Sequence, residues 1–448
     1  MRKLTPTILA LALTLTLRAS AEEPAAPASG SQPAAGAPAA PDTAPASAAV
    51  NAGEVITAAT AAKVKDLVSP GVLWLVERGM EMTIIPTQES APPPAYQAAT
   101  EKYSAQVKLL PNGVLDESSY VAGRPFPVID PNDPHAAIKI MYNFERGYYF
   151  TDDLAARLFD AETGSISRSG TQQEFRVERH FVLDNLRILK FSGRTENEPI
   201  HRFEPNKDRT LAKAGQYPVI EPYDLKGVGG ISYRYVDSLR HDDTWLYLPS
   251  LRRVRRLSTA QRSDALFGQD IDVDSYGGYA GQIPWFSWRL IGSKPMLASG
   301  RGDHLPGLPC KADGGVTFCE NWELRPKFWI IEGTPKLSGY AYSKRLIFID
   351  ALTGFISYTD LYDHGGELWK VAILHGRYST KPNPRAALEY PFPRNFLYDF
   401  VMVDMQLEHG TRASIPGVGF PNEPGWFINQ GASDEDWFTI AALIEAGR

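Results

Sequence analysis

The segment Trp245-Leu246-Tyr247-Leu248-Pro249-Ser250-Leu251-Arg252-Arg253-Val254 reads as a turn phrase between two apolar flanks, and its recurrence decides the fold. Tighter versions are Leu158-Phe159-Asp160-Ala161-Glu162-Thr163-Gly164-Ser165-Ile166 and Phe348-Ile349-Asp350-Ala351-Leu352-Thr353-Gly354-Phe355-Ile356. In both, Asp can open a type I turn by bonding its own backbone, and Gly supplies the positive φ needed where the next strand begins. Three such phrases predict successive β-hairpins in a meander. Their irregular spacing argues against a solenoid or propeller.

Working outward, the chain from Tyr148 onward carries short alternating runs of β-branched and aromatic residues broken by Gly, Asn and Asp, an antiparallel signature. Phe175, Val177, Arg179 and Phe181 alternate with Arg176, Glu178, His180 and Val182, which predicts one largely apolar and one largely polar face. Upstream, the apolar spacing from Val55 to Val68 predicts an amphipathic helix ended by Pro70-Gly71. Val72 to Val76 fits either a buried helix turn or a strand.

The N-terminal end has a different texture. Basic Met1-Arg2-Lys3, an apolar run from Thr7 to Leu17 and the small-x-small Ala19-Ser20-Ala21 predict a cleaved export signal over residues 1–21. Residues 22–50, nearly all Ala, Pro, Ser, Gly, Thr and Glu, predict a disordered leader, with one large domain over 51–448. Without the signal, 52 acidic side chains face 43 basic ones, which argues against a nucleic-acid partner. No later apolar run approaches a membrane span, and no Cys follows the apolar core to carry a lipid.

Downstream of an export signal, Cys310 and Cys319 predict a disulfide closed across a hairpin whose turn is Asp313-Gly314-Gly315. Asp270-Ile271-Asp272-Val273-Asp274 lacks the Gly and the terminal Glu of a calcium loop and fits an extended edge better. The eight His residues show no metal-ligand spacing, and no nucleophile elbow or phosphate loop occurs, so no catalytic residue, metal or cofactor is assigned. Arg301-Gly302-Asp303 is read as a turn. Two features stand out: the basic cluster Arg252, Arg253, Arg255 and Arg256, and the aromatics Trp285, Phe286 and Trp288 after a glycine-rich stretch. The arginines read as a solvated hairpin edge or a contact for an anionic head group or acidic partner. The aromatics read as core or as the rim of an apolar pocket with a movable gate.

The run Asp243 to Leu257 followed by Phe267-Gly268-Gln269-Asp270 resembles outer-membrane lipoprotein-sorting proteins of the LolA/LolB type, with Gln269 where Ser is usual. Lys344 to Asp350 and Tyr362 to Lys370 resemble their later strand pair. Tyr120 to Pro127 and Asp130 to Ile140 resemble a long periplasmic family of that superfamily, covering roughly residues 54–448. The resemblance implies an α+β, mainly antiparallel fold: an open, strongly curved half-barrel sheet with helices packed inside it and an apolar cavity for acyl chains. It implies a periplasmic carrier of a lipid or similar hydrophobe, working between an inner-membrane exporter of the resistance-nodulation-division type and an outer-membrane protein. It supplies no catalytic residues.

The expected site comprises Trp245 and Tyr247, two apart on one strand face, approached by Trp285, Phe286 and Trp288, with the Arg252 to Arg256 turn at its mouth. The alternative is a periplasmic hydrolase or carbohydrate-active enzyme. A transmembrane barrel is disfavoured by the polar residues around Gln172 to Arg179.

Overall fold

The computed structural model describes residues 50–448 except 151, 170–171 and 258–261; the expected signal and residues 22–49 of the expected leader lie outside the described residues. Val50, placed at the end of the leader by composition, is 7% exposed and packs in the core with Ile56 and Val64.

One open sheet organises the chain, and its path is mainly antiparallel. From one edge it runs through Arg253–Arg256, Asp243–Leu248, Gly229–Tyr235, Thr210–Gln216, Gln172–Lys190, Asp153–Ser169, His409–Ser414 and Arg394–Asp404. It continues through Leu368–Ser379, Ile356–Tyr362, Lys344–Asp350 and Glu320–Pro335 to Phe286–Ala298. Met82–Ile85 adds the parallel pairing, beside Glu320–Glu323, and Trp426–Ile428 pairs with Leu154–Ala156.

Strand alternation sorts the central residues into two cores. Ile347, Ile349, Ala372, Leu374, Phe400 and Met402 belong to one, while Phe348, Val371, Ile373, Val401 and Val403 belong to the other. Both faces being covered explains why these strands read as nearly continuous apolar runs. The second core is capped by the helix Pro70–Val76, the first by the helix Ala136–Glu145. A last helix, Ile440–Ala446, packs Leu443 against Tyr217, Ile231 and Tyr247.

Two local expectations are corrected. Val55–Ile56 is a strand, Ala58–Val64 a 3₁₀ helix, and Pro70 starts a helix instead of ending one. Ser69 caps that helix by accepting from the Val72 amide (3.1 Å), and Pro70 occupies the first turn, where its missing N–H costs nothing. The phrase at 158–166 is not a turn but the middle of the Asp153–Ser169 strand. Its Asp160 faces His180 (2.6 Å) and its Glu162 faces Arg412 (2.6 Å) on the flanking strands. Gly164 sits at a register shift where a Cβ would lie 2.0 Å from the Arg176 carbonyl oxygen. The matching phrase at 348–356 does turn: the Asp350 carboxylate accepts from Leu352 N (3.1 Å) and Thr353 Oγ1 (2.8 Å), and Gly354 has φ 75°.

Cys310 and Cys319 form the expected disulfide. The Asp313 carboxylate organises its turn by accepting from the amides of Gly315, Val316 and Thr317 at 2.9–3.0 Å.

Candidate functional site

The first core is roofed by two chain segments, not by a second sheet. One, from Leu115 to Phe144, contributes Tyr120, Phe126, Ile140 and Met141. Asn143 ties it together by bonding both Phe126 N (2.8 Å) and Phe126 O (2.7 Å). The other, from Arg262 to Trp288, contributes Ile271, Tyr279, Ile283, Trp285 and Phe286. Trp285 and Phe286 are buried and Trp288 is half-buried. Phe286 stacks on Trp288 with centroids 5.2 Å apart, and Tyr279 meets both edge-on. The Trp288 indole N–H donates to Ile283 O at 2.7 Å.

A buried polar network holds the second segment down. Arg262 donates to Asp274 Oδ1 (2.6 Å) and Ala280 O (3.0 Å), and lies 3.5 Å from Asp242. Asp242 in turn receives Arg234 (2.8 Å) and Gln282 (3.0 Å); burial opposes its ionisation, yet the two guanidiniums hold it below the usual carboxylate range. Tyr340 and Tyr342 donate from the following turn to Asp274 (2.9 Å) and Asp272 (2.8 Å). Arg345, fully buried, donates to Tyr340 Oη (2.8 Å) and lies 5.2–5.9 Å from the rings of Tyr279, Phe286, Tyr340 and Tyr342. Burial pushes Asp272 upward against the pull of Arg345.

Asp270, Asp272 and Asp274 point to different partners. Asp270 receives His409 Nδ1 (2.9 Å) and Thr411 Oγ1 (2.8 Å) on the neighbouring strand. The triplet therefore ties the roof to the sheet, and calcium ligation is not its geometry.

The five aromatics expected to converge do not. Trp245 and Tyr247 do share a face, but it is the face covered by the last helix, with Tyr233 edge-on to Trp245 at 5.0 Å. Their neighbours Leu246 and Leu248 pack toward the core that holds Trp285 and Phe286. Alternation along one strand thus puts the two aromatic groups on opposite faces. Arg252 occupies the left-handed corner (φ 48°), and Arg253, Arg255 and Arg256 lie exposed on the edge strand. By register Arg253 and Arg255 share the face of Leu248 and Leu246, while Arg256 turns to the other face and pairs with Asp243.

One arrangement escaped sequence reading. Ser299 Oγ lies 2.9 Å from His375 Nδ1, a nucleophile-and-base spacing, but the two are 2% and 0% exposed and burial pushes His375 down to about 3. An imidazole that resists protonation so strongly is a poor base near neutrality. Their separation of seventy-six residues gave no signal.

Residues 55–443 match the family described as Protein of unknown function (DUF1329). An uncharacterized protein of Pseudomonas aeruginosa is 24% identical over 405 residues, covering 88% of this chain and 81% of its own length. Among solved structures, similar ones include a Vibrio parahaemolyticus domain assigned to outer-membrane lipoprotein sorting, with 14% identity, a TM-score of 0.43, and coverage of 68% of this chain and 97% of that one. A LolA superfamily protein from Nitrosomonas europaea has 13% identity and a TM-score of 0.35, with coverage of 68% and 98%. No helix among the described residues is long and apolar enough to cross a membrane.

Proposed function

Since the chain belongs to the DUF1329 family of unknown function, we propose that it is a periplasmic carrier for an amphiphilic hydrophobe. The observation that carries the reading is the construction of the first core: an apolar sheet face closed by two loop-linked segments, beside an exposed basic edge strand. Displacing the Arg262–Trp288 segment would expose Trp285, Phe286 and Trp288 to an acyl chain, with burial worth about 25 cal/mol per Å². Arg253 and Arg255, on the same sheet face as Leu246 and Leu248, would receive an anionic head group, with Arg252 at the corner. Trp245 and Tyr247 would take part only through the helix that covers them. Exchange with an inner-membrane exporter and an outer-membrane acceptor completes the proposal.

Native mass spectrometry of protein released from the periplasm tests the cargo, and a fluorescent fatty acid tests the site. Trp288→Ala should weaken fatty-acid binding at least fivefold while the protein stays folded, and copurified lipid should be found on the wild type. Unchanged binding by folded Trp285→Ala and Trp288→Ala variants removes these aromatics from the site. Absence of lipid together with absence of fatty-acid binding overturns the carrier reading.

A further inference from the structure

On the opposite face of the sheet from the proposed cargo site, a buried acid meets two exposed side chains. Glu320, 1% exposed, shares its strand face with Trp322 of the second core, and neither of its carboxylate oxygens has a hydrogen-bond partner of normal geometry. His304 Nδ1 lies 3.9 Å from Glu320 Oε1 and 3.0 Å from Asp303 Oδ1, and the ligand atoms of all three residues fall within 4.8 Å of one another. We infer that Asp303, His304 and Glu320 form a binding site for a divalent transition-metal cation of the Zn²⁺ class.

The geometry suits that ion. Donor atoms about 2.0–2.1 Å from a tetrahedral Zn²⁺ stand about 3.3 Å from one another. The separations found bracket this value, and the side chains of Asp303 and His304, 61% and 49% exposed, have room to adjust. One imidazole nitrogen with two carboxylates favours Zn²⁺ over the all-oxygen environment of Ca²⁺ or Mg²⁺, and three protein ligands leave one position for water.

The surroundings lack the cation that buried acids require. Asp399, 1% exposed, accepts from Ser414 through Oδ1, and neither its Oδ2 nor the Tyr398 hydroxyl beside Glu320 has a hydrogen-bond partner of normal geometry. Among the described residues no Lys or Arg forms an ion pair with Glu320 or Asp399. Arg377, a guanidinium whose charge reaches Glu320, donates instead to Gly302 O (2.7 Å) and Lys381 O (3.3 Å).

The scaffold is rigid where the ligands leave it. A Cβ on Gly302 would fall 1.5 Å from the Tyr398 hydroxyl oxygen, so only glycine lets the backbone pass this close before Asp303. The Cys310–Cys319 disulfide ends at the residue preceding Glu320 and closes the loop that separates it from His304.

The test uses untagged protein stripped with a chelator and titrated with Zn²⁺ alone by calorimetry and by competition with a chromophoric chelator. The expected result is one equivalent bound, with His304→Ala weakening affinity at least thirtyfold and Asp303→Asn at least tenfold. Co²⁺ in place of Zn²⁺ should give visible bands that His304→Ala abolishes. His180→Ala, which removes another His flanked by carboxylates, Asp160 and Glu221, should leave binding unchanged. The inference is overturned by a wild type that takes up no Zn²⁺, or by Glu320→Gln or His304→Ala binding it as tightly as wild type. It is equally overturned if His180→Ala alone removes the site. Fatty-acid binding by these variants reports on the separate carrier proposal and should not change.

Discussion

Two groups of buried acids in this molecule sit in opposite electrical settings. Asp242 and Asp274 under the roof are met by Arg234 and Arg262, with Tyr340 supplying a further donor. Glu320 and Asp399, equally buried, have no guanidinium or ammonium bonded to them among the described residues, and three of their four carboxylate oxygens have no hydrogen-bond partner of normal geometry. The first group is complete without outside help and acts as a clasp between roof and sheet. In the second, burial pushes both carboxyls above their ordinary range with no cation bonded to hold them down. The two groups differ in whether the fold itself supplies a counter-charge, not in how deeply they are buried.

The comparison breaks most visibly if the clasp loses its cation. Arg262→Met should cost about 3–5 kcal/mol, because Asp274 and Asp242 are left as buried, underpaired charges. A urea titration measures the loss, and faster fatty-acid uptake by the still-folded fraction would show that the clasp also governs the roof.

Asp360 sharpens the contrast as an intermediate case. It has no cation partner but accepts from Ser69 Oγ (2.8 Å) and Gly71 N (3.1 Å), and burial pushes it up to about 7 against those bonds. The unfolded chain releases this proton near pH 4, whereas the native state keeps it to about pH 7. Stability should accordingly fall as pH rises through that window and level off above it, by at most about 4 kcal/mol. Asp360→Asn should remove this part of the pH dependence, as read from urea midpoints at pH 5 and pH 8. Equal slopes for the two proteins would show that Asp360 ionises normally.

The smallest effect is expected at the uncompensated acids themselves. Glu320→Gln in metal-free protein should change stability by no more than about 1 kcal/mol, since it replaces a group that has no charge partner to lose. A loss of about 3 kcal/mol or more would mean that Glu320 belongs with the clasp.

The antiparallel sheet, the disulfide hairpin and the 348–356 turn were legible because each is set by local chemistry: alternation, an Asp-Gly-Gly corner, an Asp that bonds its own turn. The 158–166 phrase carries the same letters yet remains extended, because His180 and Arg412 on flanking strands take its acids and a bulge takes its glycine. Those partners are distant in sequence, so the phrase alone could not reveal them. Pro70-Gly71 has the local form of a stop signal, and its role as a helix start depends on Ser69 capping the helix that follows. The aromatic residues stand out in the sequence as large apolar groups, but the expectation that they converge rests on spacing within separate strands. Which face each strand presents is decided by packing, and Trp245 and Tyr247 went to the side of the last helix. The pairing of His304 with Glu320 depends on a loop folded back by the disulfide, and no ligand motif spans it.

The pairing of Trp426–Ile428 with Leu154–Ala156 has a consequence for the order in which the molecule can assemble. The Met82–Ile85 strand likewise waits for Glu320–Glu323, and Ser69 waits for Asp360. A chain made from its N-terminus cannot complete these pairings until nearly its whole length is present. Contacts of such long sequence separation make for slow folding. Until then the apolar strands lack the partners that bury them in the finished fold.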